Sequence, residues 1–359
     1  MPSHLAQPGM LDCRYQEMMK RRKGLIVRAL TADEIRRLVP IRDAVEQMKQ
    51  VFAAYSRGET ISPLRTPVNM PDGSGVVLFM PAYVPAGPGA PAATGLKVVS
   101  VFAGNRERGL PTINAIVVVV DPETGVPIGL LEGAAVTALR TGAVSGAATD
   151  LMARPNATTL AVIGAGAQGI TQAAAVCSVR DISEIRVYDL FAASRETFAE
   201  RLAVWIPEGM PRVVVVDNAR DAVSGADVIC TATTATSPVF EDEWLSPGTH
   251  INGIGAYTPE MQEIPDATVA RARVVVDAVE AALHEAGDLI QSIDRGAIQR
   301  EAIHIEFGQV AAGEIAGRES DDQITFFKSV GNAIQDMIVC GAALEAAAAQ
   351  GIGQTIDLT

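Results

Sequence analysis

The stretch Thr158-Thr159-Leu160-Ala161-Val162-Ile163-Gly164-Ala165-Gly166-Ala167-Gln168-Gly169 decides the fold of this chain. An apolar run, Leu160 to Ile163, feeds straight into three glycines. About 20 residues beyond the last of them a second apolar run, Ile185-Arg186-Val187-Tyr188, ends in Asp189, the spacing of a dinucleotide-binding unit. Gly164 permits the tight passage from strand to helix, Gly166 lets the backbone approach a pyrophosphate, and Gly169 lets the helix pack closely on the strand. The helix begun there aims free N–H groups and the positive end of its dipole at the phosphates. Asp189, at the carboxyl end of the next strand, is placed to accept hydrogen bonds from the adenosine ribose hydroxyls. Leu190, Phe191 and Ala192 bring no arginine for a 2′-phosphate, and Arg195 is the first cation to follow, so NAD is favoured over NADP.

The 359 residues give room for about two domains. With 48% hydrophobic and 20% charged residues the chain can bury substantial cores. Lys plus Arg is 29 and Asp plus Glu 42, a formal charge of −13, which repels nucleic acid and anionic membrane and points to small-molecule partners. Cys13, Cys177, Cys230 and Cys340 show no paired spacing, so neither a metal site nor a disulfide framework is expected, and a reducing cytoplasm fits. No segment reads as a signal peptide or a membrane span. Residues 1–24 read as a tail whose cluster Lys20-Arg21-Arg22-Lys23 is solvated, with a nuclear or anionic-surface signal as the other reading.

From Leu25 the pattern is a short strand, a helix capped by Thr31 with Asp33 and Glu34 in its first turn, and a second helix from Ile41 through Phe52. Strands are expected at Val76–Met80, Gly95–Phe102, Thr112–Val120 and Ile128–Glu132, which makes a mixed sheet, with Pro81–Ala93 as a flexible insertion beside the substrate pocket. An alanine-rich helix, Leu139–Met152, leads into the nucleotide unit. After Asp189, helices alternate with apolar strands at Val213–Val216, Val228–Thr231, His250–Ile254 and Val274–Val276, which argues for a parallel doubly wound sheet. A final helix from about Asp321 to Gln350 returns to the first domain. The expected architecture is α/β, a Rossmann-type doubly wound parallel sheet (139–324) inserted in a mixed α+β substrate and dimerisation domain (25–138 plus 325–359).

Several further segments carry a family likeness: Gly95-Leu96-Lys97, Gly109-Leu110-Pro111-Thr112, Ala138-Leu139-Arg140-Thr141-Gly142-Ala143, Ala286-Gly287-Asp288-Leu289 and Thr325-Phe326-Phe327-Lys328-Ser329-Val330-Gly331. Together with the glycine loop they make the chain resemble the ornithine cyclodeaminase and mu-crystallin family from about Leu25 to Leu358. The resemblance implies NAD(P) binding in the middle domain, a homodimer built through the sheets of the first, and hydride exchange between a nicotinamide and the α-carbon of a small amino acid or its imine. It also implies roles. Arg65 matches a carboxylate-binding arginine, Lys97 a carboxylate-binding or catalytic lysine, and Arg140 a cation for both substrate and cofactor. Thr112, Thr141, Gly164, Gly166, Ala167, Gln168, Asp189, Thr231, Gly255 and Ser329 match cofactor contacts.

Read without the resemblance, Arg65 between Pro63 and Pro67 is a solvated loop charge. Lys97, inside the otherwise apolar run Leu96–Phe102, is either a site residue or an edge-strand lysine facing solvent. Arg140 and Thr141 fall at the border of the long helix, and the hydroxyls could be ordinary caps. The sequence departs from the family at Gly255-Ala256-Tyr257-Thr258-Pro259, where by the resemblance cyclodeaminases and some dehydrogenases carry a proton-transferring aspartate at the position of Tyr257. A phenol with a pKa near 10 is a poor base at neutral pH but can donate or relay a proton. Glu260 and Glu263 read as solvent-facing acids, Asp277 and Glu280 as turn caps, and His250 as structural. The expectation is an NAD(H)-dependent imino acid reductase, equivalently an amino acid dehydrogenase, using Lys97, Arg65, Arg140 and Tyr257. Ornithine cyclodeaminase and a non-catalytic, mu-crystallin-like ligand-binding protein are the alternatives.

Overall fold

Residues 25–359 are described by the computed structural model; the basic cluster at 20–23 and Cys13 lie outside them. Strands β1 (Ile26–Leu30), β2 (Thr66–Asn69), β3 (Val76–Val84), β4 (Ala93–Val101), β5 (Ile113–Val120) and β6 (Pro127–Glu132) come first in the chain. A second set follows: β7 (Thr159–Ile163), β8 (Glu184–Tyr188), β9 (Arg212–Val215), β10 (Val228–Thr231), β11 (His250–Gly253), β12 (Arg273–Val276) and β13 (Thr325–Lys328). The last strand, β14 (Gln354–Asp357), returns to the first sheet. Contacts divide the described chain into two compact units, residues 25–43, 58–137 and 333–359 in one, 44–57 and 138–332 in the other.

The first unit holds a mixed sheet in the order β14-β1-β6-β5-β4-β3-β2, with β1 parallel to β6 and the other pairs antiparallel. Because side chains alternate between faces, the pairing puts Met80, Lys97, Val117 and Leu131 in one row across four strands, all buried. The helix Ala333–Gln350 packs against β3, β4 and β5 on this side. At the other end of the chain, Thr31 caps the helix Ala32–Leu38 as expected and, with Glu34, forms a capping box.

The second unit holds seven parallel strands in the order β12-β13-β11-β10-β7-β8-β9. Both faces of this sheet are covered. Ala161 and Ile163 of β7 point into one apolar cluster, Leu160 and Val162 into another, as a strand buried on both sides requires. Chain progression runs outward from β7 through β8 to β9 on one side and from β10 onward on the other, so the topological switch lies between the carboxyl ends of β7 and β10.

Four expectations are corrected. The helix placed at Leu139–Met152 begins at Gly133, so Arg140 and Thr141 lie inside it rather than at its border. Pro81–Ala93 is less of an insertion than expected: β3 runs on to Val84, β4 starts at Ala93, and a Gly87–Ala90 bridge closes the turn. Pro81 is tolerated because Tyr83 N–H points to the side of Ile61, and the alternation aims the missing N–H of Pro81 the same way, into the unpaired stretch between Ile61 and β2. The final helix expected from Asp321 is two elements, β13 in the centre of the second sheet and a helix only from Ala333. The helix Ile41–Ser56, expected in the first domain, belongs mainly to the second unit, where Phe52 stacks edge-on against Phe307 at 5.5 Å. No helix of the described residues is long and apolar enough to cross a membrane.

His250, at the start of β11, is fully buried with Nδ1 at 2.8 Å from Thr325 Oγ1 and Nε2 at 3.2 Å from Asn252 Oδ1. Burial, with Arg318 nearby, pulls its pKa from the ordinary 6.5 to about 3. The imidazole is therefore neutral in the fold, while the unfolded chain takes up a proton below 6.5, so stability falls as pH drops from 6.5 toward 3. At pH 5 this one group is expected to cost about 2 kcal/mol. Urea unfolding of the wild type and His250→Gln between pH 7 and 5 checks this; parallel profiles would refute it.

Candidate active site

In the second unit the glycine loop has the geometry that its spacing implies. Gly164 takes φ +103, a left-handed value closed to most side chains, and a Cβ there would sit 2.5 Å from the carbonyl oxygen of Ala232 just beyond β10. A Cβ on Gly169 would run into the carbonyl oxygen of Gly164. The helix Ala167–Val179 starts at Gly166 with no side-chain cap, and the space where a Cβ of Gly166 would stand is open. A helix start without a side-chain cap, at exposed Gly166 and Ala167 and half-buried Gln168, fits a pyrophosphate. Asp189 accepts hydrogen bonds from Ala165 N–H at 2.7 Å and Phe191 N–H at 2.8 Å, one on each carboxylate oxygen. Each oxygen keeps a further lone pair for a ribose hydroxyl. Arg195 stacks over the Tyr188 ring at 5.7 Å, and Arg201 Nη1 donates to the Ala165 carbonyl at 2.9 Å. The residues present thus fit NAD.

The second half of the same sheet joins Thr231 and Gly255 through a side chain that the sequence reading placed in solvent. Glu263 is buried, and its carboxylate accepts from Thr231 Oγ1, Thr233 Oγ1 and the amides of Thr233 and Gly255. Burial, and then the neighbouring Asp288 carboxylate, push its pKa up. Ser329 Oγ donates to Asp277 Oδ2 at 2.8 Å, and the same oxygen takes the amides of Val330 and Gly331. Asp277 therefore does cap a turn, the one after β13. Arg140 reaches this turn: the Cβ position of Gly331 is 2.7 Å from Arg140 Nη1. Thr141 is buried, and its carbonyl accepts from Gln172 Nε2 at 3.0 Å. Tyr257 is half-buried, with its amide donating to the Gly255 carbonyl at 3.1 Å.

In the first unit Lys97 does not face solvent from an edge. Strand β4 is flanked by β3 and β5, and the side chain is 1% exposed. Its ammonium lies 2.7 Å from Asp336 Oδ2, in the first turn of the helix Ala333–Gln350, and 3.4 Å from Thr137 Oγ1. Arg65, half-buried, directly precedes Thr66, whose partner is Phe79; it therefore stands at the level of Met80 and Lys97 on the sheet. Thr112 is not brought to them by the strand, since it precedes β5 and lies five residues from Val117, the partner of Lys97, about 16 Å of extended chain.

Sequence reasoning misses Asp336, puts Glu263 in solvent, and gives Asp288 no role beyond its place in a family segment. The available signal was an acid at the amino end of an apolar helix, and acids after a Gly-x-x-x-Pro turn; neither names its partner. Cys177 and Cys230, their thiols pushed by burial to about 12, and Cys340, pushed well above its usual value, offer no nucleophile.

The model of the ornithine cyclodeaminase/mu-crystallin family matches residues 27–350. The chain is 41% identical over 331 residues to a Delta(1)-pyrroline-2-carboxylate reductase of Bacillus cereus, covering 91% of this chain and 99% of that protein. It is 35% identical to an alanine dehydrogenase of Archaeoglobus fulgidus, over 91% of this chain and 97% of that one. Among solved structures it is similar to Thermococcus litoralis Delta(1)-pyrroline-2-carboxylate reductase in complex with NADH and L-proline, with TM-score 0.86, 36% identity, and coverage of 92% of this chain and 100% of that one.

Two outcomes are expected. Asp189→Ser removes a charged acceptor for the ribose, so the KM for NADH rises about 10-fold or more and the preference over NADPH narrows; wild-type kinetics with both cofactors in Asp189→Ser would show that Asp189 does not choose the cofactor. Lys97→Met or Asp336→Leu alone strands a buried charge and lowers stability by about 3–5 kcal/mol, while the double variant recovers most of that loss. Denaturant midpoints decide, and strictly additive losses would rule out the coupling.

Proposed function

The chain belongs to the ornithine cyclodeaminase/mu-crystallin family, and on that premise we propose that its substrate is a five-membered cyclic imine carboxylate of the Δ1-pyrroline-2-carboxylate kind. It is an NAD(H)-dependent oxidoreductase that interconverts imino acids and amino acids. The observation that carries the reductase direction is Tyr257. A cyclodeaminase must manage loss of ammonia and ring closure with an acid/base group, and at this place the chain carries a phenol instead of an aspartate. Reduction of a ready-made imine asks for less: a held carboxylate, a hydride and one proton.

Bound NADH supplies the hydride to the imine carbon. Arg65 and Lys97 hold the substrate carboxylate, Arg65 by its planar fork and Lys97 as a point charge. Arg140 keeps the role that the resemblance gives it, a guanidinium for substrate and cofactor. The proton that the imine nitrogen gains comes from the Lys97 ammonium, or from a water held by Lys97 or the Tyr257 hydroxyl. Lys97 is dry in the fold, and in a dry site a charge acts more strongly on a bound anion than it would in water. The cofactor contacts proposed are Thr112, Thr141, Gly164, Gly166, Ala167, Gln168, Asp189, Thr231, Gly255 and Ser329. We also propose a cytoplasmic homodimer assembled through the first sheet, where Ile61, Val68, Ile113 and Ile116 are 40–63% exposed.

The test follows NADH absorbance with Δ1-pyrroline-2-carboxylate, runs pyruvate plus ammonia beside it, and assays ammonia release from ornithine with NAD. Rapid NADH loss with the cyclic imine and no ammonia from ornithine is expected. Ammonia release from ornithine would restore the cyclodeaminase. Rapid turnover of pyruvate with ammonia, without the imine, would replace the cyclic substrate by an open-chain one.

A further inference from the structure

The proposed chemistry makes no use of Glu263, a fully buried carboxylate of the second unit that accepts four hydrogen bonds. Glu263 Oε1 accepts from the Thr233 amide at 2.6 Å and Thr233 Oγ1 at 2.8 Å; Oε2 accepts from Thr231 Oγ1 at 2.9 Å and the Gly255 amide at 2.7 Å. Behind it stands a second carboxylate. Asp288 Oδ1 takes the amides of Glu263 and Ile264 at 2.6 and 2.9 Å, and Asp288 Oδ2 meets Lys328 Nζ at 2.8 Å. Lys328 ends β13, Thr231 ends β10, and Gly255 lies just past β11, three adjacent strands of the sheet. One side chain thus closes the turns leaving β10 and β11, and its own position is fixed from β13. The fit is close enough that a Cβ on Gly255 would collide with the Thr233 carbonyl and stand 2.5 Å from Glu263 Oε1.

In a doubly wound sheet the dinucleotide lies outside the carboxyl ends of the strands, across the switch point. Asp189 marks the β7-β8-β9 half as the adenosine half, which leaves the ends of β10 and β11 to the nicotinamide. We propose that Glu263 is a positioning residue for the nicotinamide ring, holding Thr231 to Thr233 and Gly255 as the floor on which the ring is set for hydride transfer. The proposal rests on the NAD(H) reductase reading given above.

The carboxylate cannot be replaced by its amide. Threonine hydroxyls can rotate and accept, but the amides of Thr233 and Gly255 can only donate, and they face opposite oxygens of Glu263. In either orientation, Glu263→Gln turns its NH2 on one of these two amides and leaves a buried N–H without an acceptor. That turn must move, and the floor with it. Since an error of about 1 Å in placement can cost about 100-fold in rate, kcat is expected to fall about 10- to 100-fold.

The test compares purified full-length wild type and Glu263→Gln. NADH binding is titrated by fluorescence, the emission maximum and yield of bound NADH report the surroundings of the nicotinamide, and turnover of the cyclic imine is run with NADH and with NADH deuterated at C4. The expected result is a dissociation constant within about threefold of wild type, because the adenosine half is untouched, with altered bound-NADH emission, lowered kcat and a larger deuterium isotope effect. An architectural role alone predicts a lower melting temperature with unchanged emission, kcat and isotope effect in the folded protein, and that result overturns the proposal. If Glu263→Gln does not fold, Glu263→Asp, one methylene short, carries the same readouts, and wild-type emission and isotope effect in it overturn the proposal equally. Absence of wild-type turnover with every imine would overturn the reductase reading, and the emission of bound NADH would still decide the role of Glu263.

Discussion

The contact between Gly169 and the carbonyl oxygen of Gly164 is the constraint from which the nucleotide half follows. No side chain fits there, so the helix after β7 can come down on its own strand, and it starts without a side-chain cap beside the open space at Gly166. The same turn brings Gly164 against Ala232 beyond β10, which ties the β7-β8-β9 half of the sheet to the half that starts at β10, across the switch point. Once that turn is set, Asp189 reaches back to the amide of Ala165 from the next strand, and the acid that would hold a ribose also braces the loop that would hold the phosphates. Position, binding and local stability share the same few atoms.

Both units use one device to keep a lysine out of water. Lys97 meets Asp336, and Lys328 meets Asp288, each pair at hydrogen-bonding distance and almost wholly buried. Such pairs contribute little net stability, since desolvation offsets the attraction, but losing one partner is costly. They are better understood as fixing geometry. Lys97 is held at one point in a row of apolar neighbours, and Asp288 is held so that Glu263 can gather the turns after β10 and β11.

How far the sequence could be read depended on how far apart the interacting residues are in the chain. The strand, glycine turn, helix and acid of Thr158 to Asp189 are local, and spacing alone exposes them. The parallel sheet was legible from apolar runs such as Val228–Thr231, buried on both faces. Lys97 was legible as an anomaly, a cation in an apolar strand, but its counterion lies more than two hundred residues away and periodicity cannot point to it. Glu263 was misjudged for the same reason. An acid after a turn looks solvated until the loops that surround it are folded. Strand β13 was hidden by a run, Thr325-Phe326-Phe327-Lys328, too short to distinguish from the start of the helix that follows.

The first sheet is assembled from the two ends of the described chain, with β1 paired to β14 and the row Met80, Lys97, Val117 and Leu131 roofed by the helix Ala333–Gln350. On a ribosome this has a consequence for the order of events. The nucleotide unit, whose last residue is Asn332, is fully synthesised while the roof of the other unit is still in the exit tunnel or unmade. Until residues 333–350 emerge, that apolar row stays open to water and Lys97 waits for its counterion. The first sheet is thus completed by residues made after the whole of the nucleotide unit, and in that interval its apolar face is open to a chaperone.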